Sequence, residues 1–219
     1  MPMRVVEMFD SIDGEGVRAG ELAVFVRLAG CNLRCSYCDT EYALHRSAGE
    51  EMPLQEVLSR ILGYGLKNVT VTGGEPLLCA ECLPLVQALC AKGCSVNIET
   101  NGSLDVAPYA IPGTIICMDW KTPSSGEEDR MCSANLDLLR PQDVLKFVIA
   151  EEDFPCVERI LSSHDLPCWV YLSPVFGRVE PEKIVAFMKY LHGKGLRTDR
   201  LRVQLQLHKY IWPPSARGV

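Results

Sequence analysis

One pattern constrains this chain more than any other. Short runs rich in Val, Ile and Leu recur along it, each followed by an amphipathic stretch. The runs at 22–28, 68–72, 95–100, 115–119, 144–149, 169–172 and 201–205 read as strands. Several have little polar alternation, as expected of parallel strands buried on both faces. Helical patterns fill the gaps at 54–62, 83–91, 154–162 and 181–191, and Pro181 with Glu182 suits a first helical turn. Repeated strand–helix units imply an α/β fold on a parallel sheet, open or closed into a barrel. In both arrangements a site gathers at the carboxyl ends of the strands. The unusual polar motifs fall there. Cys31 to Cys38 follows the first run, Gly73-Gly74-Glu75-Pro76 the second and Glu99-Thr100-Asn101-Gly102 the third. Asp119-Trp120-Lys121 follows the fourth, and Ser173-Pro174 a later one.

Composition narrows the class. With 219 residues, 47% of them hydrophobic and 23% charged, the chain can bury a real core, which excludes disorder and coiled coil. A net charge of -6 leaves no basic surplus for wrapping a long nucleic acid. No stretch reaches the roughly 18 apolar residues of a membrane span, and the start lacks a signal-peptide core. A cytoplasmic protein of one domain over 1–219 is expected, since no repeat or long linker divides the chain. In a reducing compartment its 11 cysteines read as buried small hydrophobes, metal ligands or nucleophiles.

Three of them, Cys31, Cys35 and Cys38, lie in one loop with C-x3-C-x2-C spacing. A loop that tight can point three thiolates at one centre, and soft thiolates select zinc or an iron–sulfur cluster. A structural zinc site wants four protein ligands, as does an electron-transfer cluster. Three cysteines instead leave one iron of a cubane open to an outside ligand.

This spacing, with the aromatic Tyr37 before the third cysteine, resembles the radical S-adenosylmethionine superfamily. Thr72-Gly73-Gly74-Glu75-Pro76 is similar to its G-G-E-P motif, although an ordinary strand-to-helix turn uses the same residues. The resemblance implies a 4Fe-4S cluster held by the three cysteines and S-adenosylmethionine on the fourth iron. Cofactor contacts are then expected from Tyr37, Cys38, Asp39, Gly74, Glu75, Asp119, Lys121 and Ser173, with Glu75 accepting from the cofactor's amino group. The N-terminal Phe9-Asp-Ser-Ile-Asp-Gly-Glu-Gly16, Arg27, Cys38-Asp39-Thr40 and the C-terminal Gln204-Leu-Gln-Leu-His-Lys209 extend the likeness over the whole chain. Together they resemble the 7-carboxy-7-deazaguanine synthase family.

That resemblance implies an abbreviated TIM-type (β/α) barrel and a homodimer. It also implies a lyase reaction, 6-carboxy-5,6,7,8-tetrahydropterin going to 7-carboxy-7-deazaguanine with loss of ammonia, on the route to queuosine. An external electron donor of flavodoxin or ferredoxin type is expected, as is Mg2+ at Thr40. The pterin would meet Ile12, Asp13, Gly14, Glu15, Arg27, Thr72 and His208. Arg27 stands out physically, because an arginine inside the apolar run Ala23 to Leu28 needs an anionic partner, from a ligand or from the fold. Asp13 departs from the Gln of many family members, and the tail after Trp212 carries no assigned contact.

Cys79-x2-Cys82 and Cys90-x3-Cys94 read as scattered thiols rather than a second metal site, and Cys117 and Cys168 as core residues. A glycyl-radical-enzyme activase would share the cluster loop but not the two terminal motifs. A non-enzymatic iron–sulfur or zinc module would need a fourth ligand, for which His45 is the nearby imidazole.

Overall fold

The computed structural model describes residues 2–219. Nine strands form one sheet: β1 (Met3–Ile12), β2 (Leu22–Leu28), β3 (Glu50–Met52), β4 (Asn68–Gly73), β5 (Ser95–Thr100), β6 (Thr114–Asp119), β7 (Val144–Ile149), β8 (Trp169–Pro174) and β9 (Leu201–Val203). Their order is β3-β1-β2-β4-β5-β6-β7-β8-β9. From β2 to β9 every pairing is parallel. The sheet curls into a partial barrel, with α1 (Leu54–Gly63), α2 (Cys82–Ala91), α3 (Phe154–Ser163) and α4 (Pro181–Gly193) between strands. Each helix buries one stripe, as α4 does through Ile184, Phe187 and Leu191, and the Phe154 and Phe187 rings stack at 4.1 Å to join α3 to α4. All six residues of β7 are buried, as a strand covered on both faces requires.

Three elements escape the sequence pattern. Strand β1 pairs antiparallel with both β2 and β3, so the sheet is not wholly parallel. Its apolar residues are interleaved with Arg4, Glu7 and Asp10, and a register shift between Val5 and Glu7 interrupts the alternation. A bulge of this kind re-aims side chains. The three-residue β3 and the one-turn α5 (His208–Ile211) are too short to show a period.

The sheet's open seam is closed without a ladder. Strand β9 stops at Val203, and Gln204 turns its buried side chain across to the loop after β1. Its Oε1 accepts from Gly16 N at 2.8 Å and its Nε2 donates to Gly16 O at 3.0 Å. Leu207 N donates to Gly14 O at 3.1 Å beside it. An amide side chain thus imitates one residue of a strand.

Candidate active site

Two cavities open at the carboxyl ends of the strands. One, of about 470 Å³, is lined by Cys31, Cys35, Tyr37, Cys38, Gly74, Lys121 and apolar side chains including Val148 and Phe176. The other, of about 350 Å³, is lined by Ile12, Gly14, Glu15, Arg27, Thr72, Glu99, Lys146 and His208. Asp39, Thr40, Gly73, Gln206, Lys209 and Pro214 belong to both walls, so the cavities are neighbours.

The cysteine loop is held at both ends by backbone. Gly30, at φ 97°, starts it, with Gly30 N donating to Ala43 O and Cys31 N to Leu44 O. Ser36 N donates to Ser125 O, and Leu33 is buried as an anchor. The turn after β4 then packs directly on the loop: Glu75 N donates to Gly30 O at 2.8 Å. Only glycine fits at 74, because a Cβ there would lie 2.6 Å from Gly30 O and 2.7 Å from Cys31 Cβ. The three thiols share one wall without converging on a ligand geometry, and no other metal-binding group of three or more His, Cys, Asp or Glu occurs among the described residues. Burial pushes the Cys35 thiol up to about 11 and raises Cys38 as well. Binding a metal here would therefore release protons. The donor set fits a cluster with one open iron: three soft ligands, and no imidazole in the wall, since His45 hydrogen-bonds Ser47 instead.

Glu75 is turned inward. Its carboxylate is fully buried and accepts from Thr100 Oγ1 at 2.9 Å, Asn101 N at 2.6 Å and Leu77 N at 2.9 Å. It lines neither cavity. It staples the end of β5 to the glycine turn, and burial raises its pKa to about 7 against these bonds. Asn101, so positioned, places its amide 3.8 Å from Cys31 Sγ. Ser173 and Asp119 are likewise outside the cavity walls, although Ser173 Oγ and Asp119 Oδ1 are buried without a hydrogen bond.

The charged cavity is assembled from distant segments. Arg27 and Glu7 are cross-strand partners, and Arg27 Nε donates to Glu7 Oε1 at 2.6 Å. Tyr42 OH donates to the same oxygen at 2.7 Å, and the Arg217 guanidinium lies 3.8 Å from the Tyr42 ring centroid. Only Nε of Arg27 is tied among the described residues, which leaves both Nη groups for an anion. Thr72 donates to Glu99 at 2.9 Å. Gly14 lets His208 approach, since a Cβ would lie 2.4 Å from its Nδ1. Burial lowers the His208 pKa below its ordinary 6.5, so the ring is neutral at pH 7. Asp13 is turned inward as well. Its side chain points away from the cavity, accepting from Thr70 at 2.8 Å, and burial lifts its pKa to about 7.

Sequence reasoning missed Glu7, Tyr42 and Lys146. Lys146, 9% exposed, lies 3.1 Å from Glu15 and 3.5 Å from Asp119. Burial alone would discharge it, but these carboxylates hold its pKa above the ordinary lysine value. Lys121 in turn lies 3.0 Å from Asp119. At the shared wall Lys209 sits 2.7 Å from Asp39, which it holds near about 2 despite burial, and Thr40 Oγ1 donates to Asp39 at 2.9 Å.

Residues 26–111 match the model of the radical SAM superfamily. The 7-carboxy-7-deazaguanine synthase of Clostridium acetobutylicum is 41% identical over the whole of both chains. That of Chlorobaculum tepidum is 42% identical, over 100% of this chain and 98% of its own. The crystal structure of QueE from Escherichia coli superposes with a TM-score of 0.74 over 95% of each chain, at 24% identity, and supports the fold. End-to-end identity at this level, joined to the radical SAM match around the cysteine loop, means that the chain belongs to the 7-carboxy-7-deazaguanine synthase family of the radical SAM superfamily.

Proposed function

We propose that this protein converts 6-carboxy-5,6,7,8-tetrahydropterin to 7-carboxy-7-deazaguanine with loss of ammonia, supplying queuosine synthesis. The observation that carries the reading is the shared wall between a thiol-lined cavity and a charged one. A 4Fe-4S cluster with S-adenosylmethionine, once bound, would supply radical chemistry for hydrogen abstraction from the substrate. Cys31, Cys35 and Cys38 hold the cluster, and Tyr37, Asp39, Gly74 and Lys121 form the cofactor's pocket. Their partly apolar surroundings limit the water that would quench a radical.

In the neighbouring cavity Arg27 anchors the pterin carboxylate through its free Nη groups. Glu15 accepts from ring N–H groups with its unpartnered, buried Oε1. A buried acceptor of this kind rejects rings that lack the donor. Thr72 and His208 contact the rest of the ring, and Ile12 and Gly14 shape the floor. Asp13 and Glu75 support these walls from behind. Thr40, on both walls, offers a hard oxygen that would hold Mg2+ beside the substrate. The protein works as one domain over 1–219, as a cytoplasmic homodimer fed by a flavodoxin or ferredoxin type of donor. No helix among the described residues is long and apolar enough to cross a membrane.

Anaerobic reconstitution with iron and sulfide, followed by assay with 6-carboxytetrahydropterin, tests the reading. A deazaguanine chromophore is expected only when the cluster, S-adenosylmethionine and Mg2+ are all present. No product from the complete mixture would overturn it.

A further inference from the structure

Between the two cavities runs a row of alternating charge: Glu15, Lys146, Asp119 and Lys121, with successive separations of 3.1, 3.5 and 3.0 Å. Glu15 and Lys146 line the charged cavity and Lys121 lines the thiol cavity, so the row crosses from one to the other. Its centre is rigid, because Asp119 on β6 and Lys146 on β7 are paired in register and Trp120 N donates to Lys146 O at 2.8 Å. Each carboxylate in the row also keeps one buried oxygen without a partner, Oε1 of Glu15 and Oδ1 of Asp119.

We propose that Lys146 is a positioning residue that couples the two cavities, so that S-adenosylmethionine and the pterin each bind more tightly when the other is present. The inference rests on the functional reading above. A buried polar atom without a partner is costly, and a carboxylate left with one samples other orientations. A pterin on Glu15 fixes that carboxylate against Lys146, and a cofactor meeting Lys121, which lines the thiol cavity, fixes Asp119 through their 3.0 Å pair. The ammonium, held in place, then fixes the second carboxylate through its other N–H. The second ligand meets a wall already ordered and does not bear that cost, which is positive coupling without a large structural change. The effect is reciprocal by linkage. Lys146 touches neither the cysteines nor the glycine turn in any described hydrogen bond or ion pair, so the cluster does not depend on it.

The test uses the reconstituted holoenzyme with its cluster left oxidised, so that no turnover occurs. Equilibrium dialysis measures the S-adenosylmethionine dissociation constant with and without saturating 6-carboxytetrahydropterin, and the pterin constant in the converse arrangement. In the wild-type protein the pterin is expected to tighten the cofactor by about fivefold or more. In Lys146→Met that factor falls to near one with iron content unchanged, and Lys146→Arg restores part of it. Should Lys146→Met fail to fold, Glu15→Gln decides, since it removes the charge that Lys146 holds on the pterin side. Coupling unchanged in the variants, or a factor of one in the wild type that binds both ligands, overturns this proposal alone. A wild-type protein that binds no pterin overturns the functional reading and this proposal together.

Discussion

The two cavities are built by opposite strategies. The thiol cavity takes its three cysteines from one loop of eight residues and secures them with the turn after β4, where backbone meets backbone. The charged cavity draws Glu7, Glu15, Arg27, Glu99, Lys146 and His208 from six separate segments and fixes them through side-chain pairs. A site made of one segment is rigid by chain connectivity and tolerates little change in backbone. A site made of many segments depends on ion pairs that each adjust, so a single loss weakens it without dismantling it.

The sharpest way to break this comparison is Cys35→Ala. It should abolish the cluster and all turnover, read as iron content and product formation, while the charged cavity stays folded. Retained activity would show that the loop is not the cluster site. Next in size is Gly74→Ala. The added methyl meets backbone at Gly30, which cannot give, so a loss of about 1–3 kcal/mol in stability and a poorly retained cluster are expected in thermal melts and iron counts. An unaffected Gly74→Ala protein would mean that the turn and loop move independently.

Arg27→Ala sharpens the comparison from the other side. Losing a charged hydrogen-bond partner costs roughly 1.5–3 kcal/mol, so pterin affinity should fall by one to two decades. Cluster content and cofactor binding should not change. Equal pterin affinity would place the carboxylate elsewhere, with Arg217 the next candidate. Mg2+ tests the shared wall. Because the proposed site has Thr40 as its single protein ligand, isothermal titration of the holoenzyme should find weak Mg2+ binding until substrate is added, and tight binding without substrate would refute the site.

The smallest effect concerns Asp13. Its carboxyl is raised from 3.8 to about 7 in the fold, so the folded protein keeps a proton that the unfolded chain gives up. Stability from this group is full below pH 3.8 and is lost as pH rises to about 7. Asp13→Asn should flatten the denaturant-stability profile across that window. Glu75 contributes a slope of the same sign over a similar range, so the profile should flatten without becoming level.

The same division decides what the sequence discloses. The cysteine loop, the glycine turn, β2 and the strands from β4 to β8 are contiguous patterns, and each is found where the spacing puts it. Strand β1 hides because Arg4, Glu7 and Asp10 interrupt its apolar residues and its bulge breaks the alternation. Glu7 hides with it, and so does the partner of Arg27. Lys146 left a visible trace, a lone charge inside the buried run Val144–Ile149. The reasoning that singled out Arg27 in its apolar run applies to Lys146 equally. Glu75 shows a different limit: its motif fixes where the backbone goes, while Thr100 and Asn101, 25 and 26 residues later, decide where the carboxylate points.

The seam closed by Gln204 carries a consequence for how the molecule breathes. Elsewhere around the sheet, neighbouring strands are zipped by ladders that open only with the core. Between β9 and the loop after β1 the closure consists of two amide bonds to Gly16 and one to Gly14. Such a clasp is the cheapest place for the barrel to part locally. When it does, Glu15 and His208, which flank it in sequence and in space, swing free together, while the cysteine loop stays bound to β4 on the far side. The amide protons of Gly16 and Leu207 should then exchange with solvent as one unit, well ahead of those in β7. A clasp of this kind lets the charged cavity loosen on its own while the turn that holds the cysteine loop stays closed.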